Sequence, residues 1–139
     1  MAQTTIHVRT IDGASAAVGW SGPRTVAIDR PESAGGLGIG FNGGELLLLA
    51  IGACYTNDLH REAAKRGMVL NSVYVDVDGD WGGDPVRAQN VTFTVRVEGG
   101  GSEKELMDLI HHTDQVAEIH NSLRFGTKVT LGRAEAAST

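Results

Sequence analysis

A chain of 139 residues is one domain by size, and its net charge of −5 leaves no basic excess for nucleic acid. A hydrophobic fraction of 41% and a charged fraction of 21% are those of a water-soluble globular protein. No signal-peptide core is visible in MAQTTIHVRT, and the longest apolar run is about half what a bilayer requires, so no membrane role is expected. A single cysteine excludes an intrachain disulfide and suits a reducing, cytoplasmic compartment.

In chain order, Thr4 to Arg9 alternates with β-branched residues and reads as a strand. Asp12-Gly13 signals a turn, Ala16 to Trp20 the returning strand, and Arg24 to Asp29 a third strand stopped by Pro31, together an antiparallel meander. Pro31 to Gly44 is a glycine-dense loop. It lacks both the GxGxxG spacing and a following Gly-Lys-Ser/Thr. It therefore reads as a connector that lets backbone pass close to a neighbour, rather than as a phosphate cradle.

Glu45 to Arg66 is the organising element, a helix of roughly 33 Å. Asn42 and Glu45 have capping-box spacing, and Gly67 follows a cationic last turn. Leu46 to Tyr55 is apolar on every face. Such a helix must be buried nearly all round, and a chain this short is expected to use a second subunit to cover it. Val69 to Gly79 and Ala88 to Glu98 alternate as a long hairpin across Asp80 to Pro85. Its valine face is expected to receive the helix. Ser102 and Glu105 make a second capping box before a helix through Leu123, with a possible restart at Thr113-Asp114. Thr127 to Leu131 reads as a last strand, and 134–139 as a frayed tail. Segregated strands and helices predict an α+β fold over a single domain, residues 1–139.

Cys54 is the first candidate for chemistry. A lone cysteine in an apolar helix is most simply a small buried hydrophobe. Asn57, Asp58 and Arg61, on the same face, are polar neighbours that packing alone does not require. Arg61 favours a thiolate and Asp58 opposes it, so the local sequence leaves the thiol's state open. The five histidines show no metal-ligand spacing, and no GxSxG supports a serine hydrolase.

The stretch DRPESAGGLGIGFNGGELLLLAIGACYTNDLHREAAKRG resembles the OsmC/Ohr family of osmotically induced and organic-hydroperoxide-resistance proteins. The matching positions are Pro31, Gly35, Gly36, Glu45, Leu46, Leu47, Gly52, Ala53, Cys54 and Gly67. VYVDVDGDW, VTFTVRVEG and AEIHNSLRFGTKVTL extend the likeness over most of the chain. The resemblance implies an OsmC-like fold, with antiparallel sheets packed on a long central helix in an intertwined homodimer, and active sites at the interface. It implies a peroxidatic cysteine, here Cys54, supported by a glutamate and an arginine. Glu45 is the glutamate nearest the family position, which is Gly44. The arginine comes from the N-terminal strands, where Arg24 is the first candidate and Arg30 the alternative. Leu47 and Ile51, with Asp58 and Arg61, are the expected substrate-binding residues.

The sequence departs from the family at the second, resolving cysteine. Ala117 stands there, followed by Glu118 in place of proline. The expectation is therefore a hydroperoxide reductase with one peroxidatic cysteine, no bound cofactor and an external thiol as reductant. The alternative is a non-catalytic OsmC-like dimer binding an apolar ligand.

Overall fold

The computed structural model describes residues 1–139. The elements are strands β1 (His7–Thr10), β2 (Ala17–Ser21) and β3 (Arg24–Ile28), a 3-10 turn at Glu32–Ala34, helix α1 (Gly43–Lys65), strands β4 (Leu70–Gly82) and β5 (Arg87–Gly99), and helices α2 (Glu103–Val116) and α3 (Glu118–Arg124). Strands and helices are segregated, as the patterning predicts for α+β. None of the helices is long and apolar enough to cross a membrane. The chain forms two compact units, one of residues 1–50 with 76–94 and one of 51–75 with 95–139.

In the first unit β1, β2 and β3 form an antiparallel meander with His7 opposite Trp20 and Ala17 opposite Ile28. The His7 and Trp20 rings stack, 5.0 Å apart. The glycine-dense loop returns along β3. The Asp29 N–H donates to the Phe41 carbonyl at 3.0 Å, and the Phe41 N–H to the Ala27 carbonyl at 3.3 Å. This is the close backbone passage expected of the glycines: a Cβ on Gly36 would lie 2.0 Å from the Arg30 carbonyl oxygen, and one on Gly40 2.4 Å from that of Ala27. The loop's inward N–H groups already hold an anion of the chain's own. The buried Asp29 carboxylate accepts from Arg30 at 2.7 Å, Leu37 at 3.0 Å and Ile39 at 3.2 Å. Burial opposes its charge, but these N–H donors outweigh it and hold the carboxyl below its ordinary range.

Helix α1 starts two residues before the expected Glu45 because Asn42 is the cap. Asn42 Oδ1 accepts the Glu45 N–H at 2.8 Å, and Glu45 Oε1 accepts the Asn42 N–H at 3.0 Å. Gly44, the second residue of the helix, lies under the Trp81 indole, where a Cβ would come within 2.8 Å of the ring. Leu48, a turn later, meets Gly79 and Val91 of the β4–β5 hairpin.

The second unit packs the rest of α1 against α2 and α3. Tyr55, Leu59, Leu109, Thr113 and Ala117 are fully buried there. The Tyr55 hydroxyl donates to the Ile110 carbonyl at 2.8 Å, and its ring lies 5.6 Å from that of His120. Helix α1 closes at Gly67, whose φ of 65° is the left-handed turn expected of it. The Ser102–Glu105 capping box opens α2 as predicted. Glu62 joins α1 to α2. It is 4% exposed, and its carboxylate meets Lys65 at 2.7 Å, His112 Nε2 at 2.7 Å and Arg61 at 3.3 Å. The Lys65 and His112 hydrogen bonds, in that order, hold its carboxyl down to about 2.

Two expectations are corrected. The helical run after Ser102 does not restart at Thr113. The Thr113 hydroxyl donates back to the Leu109 carbonyl at 2.8 Å and stays inside α2. The break falls at Ala117, whose extended backbone (φ −61°, ψ 120°) separates α2 from α3. Thr127 to Leu131 is not a strand; no strand of the chain pairs with it, and Val129 and Leu131 stand exposed. Within one chain α1 is buried along one side only, and the cover expected from a second subunit concerns the rest. Ile51, Tyr55, Asp58, Leu59, Glu62 and Ala63 form a single buried stripe, while Leu49, Ala53 and Asn57 on another face are exposed.

Replacing Gly40 by alanine is expected to cost about 1–3 kcal/mol, because its Cβ meets fixed backbone rather than a movable side chain. Gly43→Ala, where a Cβ meets nothing within 4 Å, should change stability by less than about 0.5 kcal/mol. Urea unfolding of the two variants checks the contrast. Glu62 makes stability pH-dependent with a definite sign. Its folded value of about 2 lies below the ordinary 4.5, so its contribution is complete above pH 4.5 and is lost as pH falls toward 2. Urea midpoints measured across that interval should fall less steeply in Glu62→Gln than in the parent protein.

Candidate active site

The sequence places Cys54, Asp58 and Arg61 at helical spacings of four and seven residues, so they stack along one side of α1. The structure brings them together. The half-buried Cys54 thiol donates to Asp58 Oδ2 at 3.5 Å. Asp58 Oδ1 accepts from Arg61 Nη1 at 2.9 Å. Asp58 is 4% exposed. A carboxylate so deeply placed needs compensating partners, and here it has three. The third is the Glu118 N–H, donated to Oδ2 at 3.2 Å from the first turn of α3.

That third contact was not foreseen from the sequence. The backbone N–H groups opening α3 have no partner within their own helix. The break at Ala117 turns them toward α1, where the Glu118 N–H finds Asp58 and the N–H groups of Ile119 and Glu118 face the Cys54 sulfur. The acidic Glu118 suits a helix start, but nothing in the sequence says what the amides of that turn meet. Glu62 and His112 were missed as well. The spacing Arg61-Glu62-x-x-Lys65 marks Glu62 as a carboxylate between two cations.

Burial, first, and the charge of Asp58 raise the Cys54 thiol above its ordinary 9.0, against the N–H groups of Ile119 and Glu118, which lower it. Arg61 is shared among Asp58 at 2.9 Å, Glu62 at 3.3 Å and Glu118 at 3.5 Å. The site therefore holds a polarised, hydrogen-bonded thiol with a guanidinium one residue removed from it. Ala117, at the expected resolving position, is fully buried immediately before the amides that face the sulfur, and it offers only a methyl group. No cluster of three or more His, Cys, Asp or Glu side chains is placed to hold a metal ion.

Of the other expected residues, Ile51 is buried in the same unit as Cys54 and Leu47 is half-buried in the first unit. Glu45 and Arg24 also belong to the first unit. Glu45 is engaged in the α1 cap. Arg24 is exposed on β3 and donates to the Ser21 carbonyl at 3.4 Å.

A family model described as OsmC-like protein matches residues 35–132. No curated protein matches the sequence. Among solved structures, an OsmC-like protein from Mycoplasma pneumoniae is similar with a TM-score of 0.77 at 19% identity, covering 91% of this chain and 89% of that one. An organic hydroperoxide resistance protein OsmC from Legionella pneumophila gives 0.64 at 16% identity, over 89% and 90% of the two chains. An organic hydroperoxide resistance protein from Elizabethkingia anophelis gives 0.60 at 19% identity, over 91% of each. At these identities the structural likeness establishes the fold, and the family match spans both the Cys54 helix and the segment that supplies its amide partners. The chain belongs to the OsmC-like protein family.

Proposed function

We propose that this protein is a thiol-dependent organic hydroperoxide reductase, with Cys54 as its peroxidatic nucleophile and an external thiol as its reductant. The observation that carries the reading is the setting of the sulfur. It lies between a carboxylate that takes its hydrogen bond and the N–H groups of Ile119 and Glu118, which stabilise negative charge on it. Names given to similar folds, organic hydroperoxide resistance proteins, favour the same chemistry.

The reaction balances without a bound cofactor. The Cys54 thiolate attacks one peroxide oxygen, the O–O bond breaks, and an alcohol leaves after taking up a proton, so that sulfur becomes a sulfenic acid. An external thiol then attacks that sulfur, releasing water and forming a mixed disulfide. A second thiol regenerates Cys54 and leaves as the external disulfide. With Ala117 in the resolving position, both reducing equivalents come from outside the chain. A reducing, cytoplasmic compartment supplies them. Ile51 precedes Cys54 by three residues and continues its side of the helix. It would receive the organic group, with Asp58 and Arg61 on the polar side.

The working form in this reading is a homodimer. Leu49, 46% exposed, and the neighbouring Ala53 face require cover, and Val129 and Leu131 lie bare in a segment with strand patterning. Arg24 and Glu45 have local partners in one chain, and we assign them a supporting role only where two chains meet. The raised thiol favours a second reading, a non-catalytic OsmC-like dimer that binds an apolar ligand.

Intact mass of the reduced protein after cumene hydroperoxide separates the two. An oxygen adduct at Cys54, followed by peroxide turnover with a thiol donor and lost in Cys54→Ser, is expected. Absence of both adduct and turnover with every thiol donor would favour the ligand-binding reading. Light scattering at micromolar concentration should give about twice the chain mass of 14.6 kDa. A monomer would contradict the dimer.

A further inference from the structure

The partners that compensate the buried Asp58 carboxylate include the one thiol of the chain. Its Oδ2 accepts both the Cys54 thiol, at 3.5 Å, and the Glu118 N–H, at 3.2 Å. Its Oδ1 takes Arg61 at 2.9 Å. These donors come from two helices, and the two on Oδ2 meet at a single atom. Arg61 pairs with Asp58, Glu62 and Glu118, so its route to the sulfur runs through Asp58. We infer that Asp58 is the positioning residue of this site: one oxygen holds the Cys54 thiol hydrogen and the first turn of α3 together, and Arg61 sets the strength of that hold through the other oxygen.

The physical consequence is direct. While sulfur keeps its proton, S–H to carboxylate is a charge-assisted hydrogen bond that fixes the sulfur facing the Ile119 and Glu118 amides. Once the proton leaves, two anions stand at that same separation, and only Arg61 and the amides offset them. Asp58 therefore orients the nucleophile and at the same time restrains it. Arg61 relaxes the restraint by neutralising Asp58. The other charged and titratable groups around this assembly are Glu62 on α1, Asp114 on α2, and Glu118, His120 and Arg124 on α3. Of these and the pair itself, Asp58 acts on the sulfur by charge.

The inference concerns the thiol of the reading above, but its test uses no peroxide, so either can fail alone. The measurement is the rate of Cys54 alkylation by iodoacetamide across pH, on full-length protein shown to be folded by circular dichroism. At neutral pH, Asp58→Asn should react about tenfold faster, as its profile moves to lower pH. Arg61→Gln, at a side chain 41% exposed, should react about threefold slower, a smaller change because solvent screens it. In the Asp58→Asn background, the Arg61→Gln effect should vanish. By hydrogen exchange, the Glu118 amide should lose protection in Asp58→Ala. An unchanged or slower rate in folded Asp58→Asn would overturn the inference. So would an Arg61→Gln effect that is the same in both backgrounds. If Asp58→Asn does not fold, an Arg61→Gln rate equal to or above that of the parent protein overturns it.

Discussion

A carboxylate in the buried stripe of a helix, in contact with the chain's one thiol, is the constraint on which this site depends. Asp58 lies in the buried face of α1 with Tyr55, Leu59 and Ala63 around it in register. Placing a charge there costs several kcal/mol unless its lone pairs are met. The chain meets them from three directions: a thiol one turn back, a guanidinium one turn on, and a backbone N–H from sixty residues away. The last of these needs a helix N-terminus at that point. The break at Ala117 supplies one, and so the kink between α2 and α3 is part of the site. A continuous helix through Ala117 would have spent that N–H on its own ladder.

The same logic applies twice more in the fold. Asp29 gathers the N–H groups of the glycine-dense loop, and Glu62 gathers Lys65, His112 and Arg61. Each is a single buried carboxylate that organises a segment by satisfying donors the segment would otherwise leave open. Only the Asp58 cluster includes a nucleophile. What distinguishes it as a candidate active site is therefore the thiol among its partners, rather than its burial or charge.

Much of the architecture is legible in the sequence because it is set locally. The meander, the hairpin, both capping boxes and the Gly67 stop follow from period-two patterning, reciprocal side-chain caps and positive φ, all within a few residues. What failed to appear was decided at a distance. Thr127 to Leu131 has strand patterning, but a strand exists only with a partner, and this chain supplies none. The cover of the apolar Leu46 to Tyr55 run is non-local too: one chain covers a stripe and leaves bare Leu49 and Ala53, the side for which a second subunit is expected. Of the site, Cys54, Asp58 and Arg61 could be read from helical spacing. The amides of Glu118 and Ile119 could not, because a backbone donor has no residue signature and its partner lies on another helix.

The family pattern placed chemistry at Cys54 and expected Glu45 and an arginine of the N-terminal strands to support it. Within the sulfur's own unit the groups that meet it lie on α1 and α3, and by the inference above one of them, Asp58, is a restraint. The most direct test of that account is the ultraviolet absorbance of the Cys54 thiolate titrated against pH in the native protein, with Cys54→Ser as the blank. The account predicts a midpoint above 9.0, the ordinary value for cysteine. A midpoint well below it would show that a charge other than Asp58 governs the sulfur, and would contradict the account.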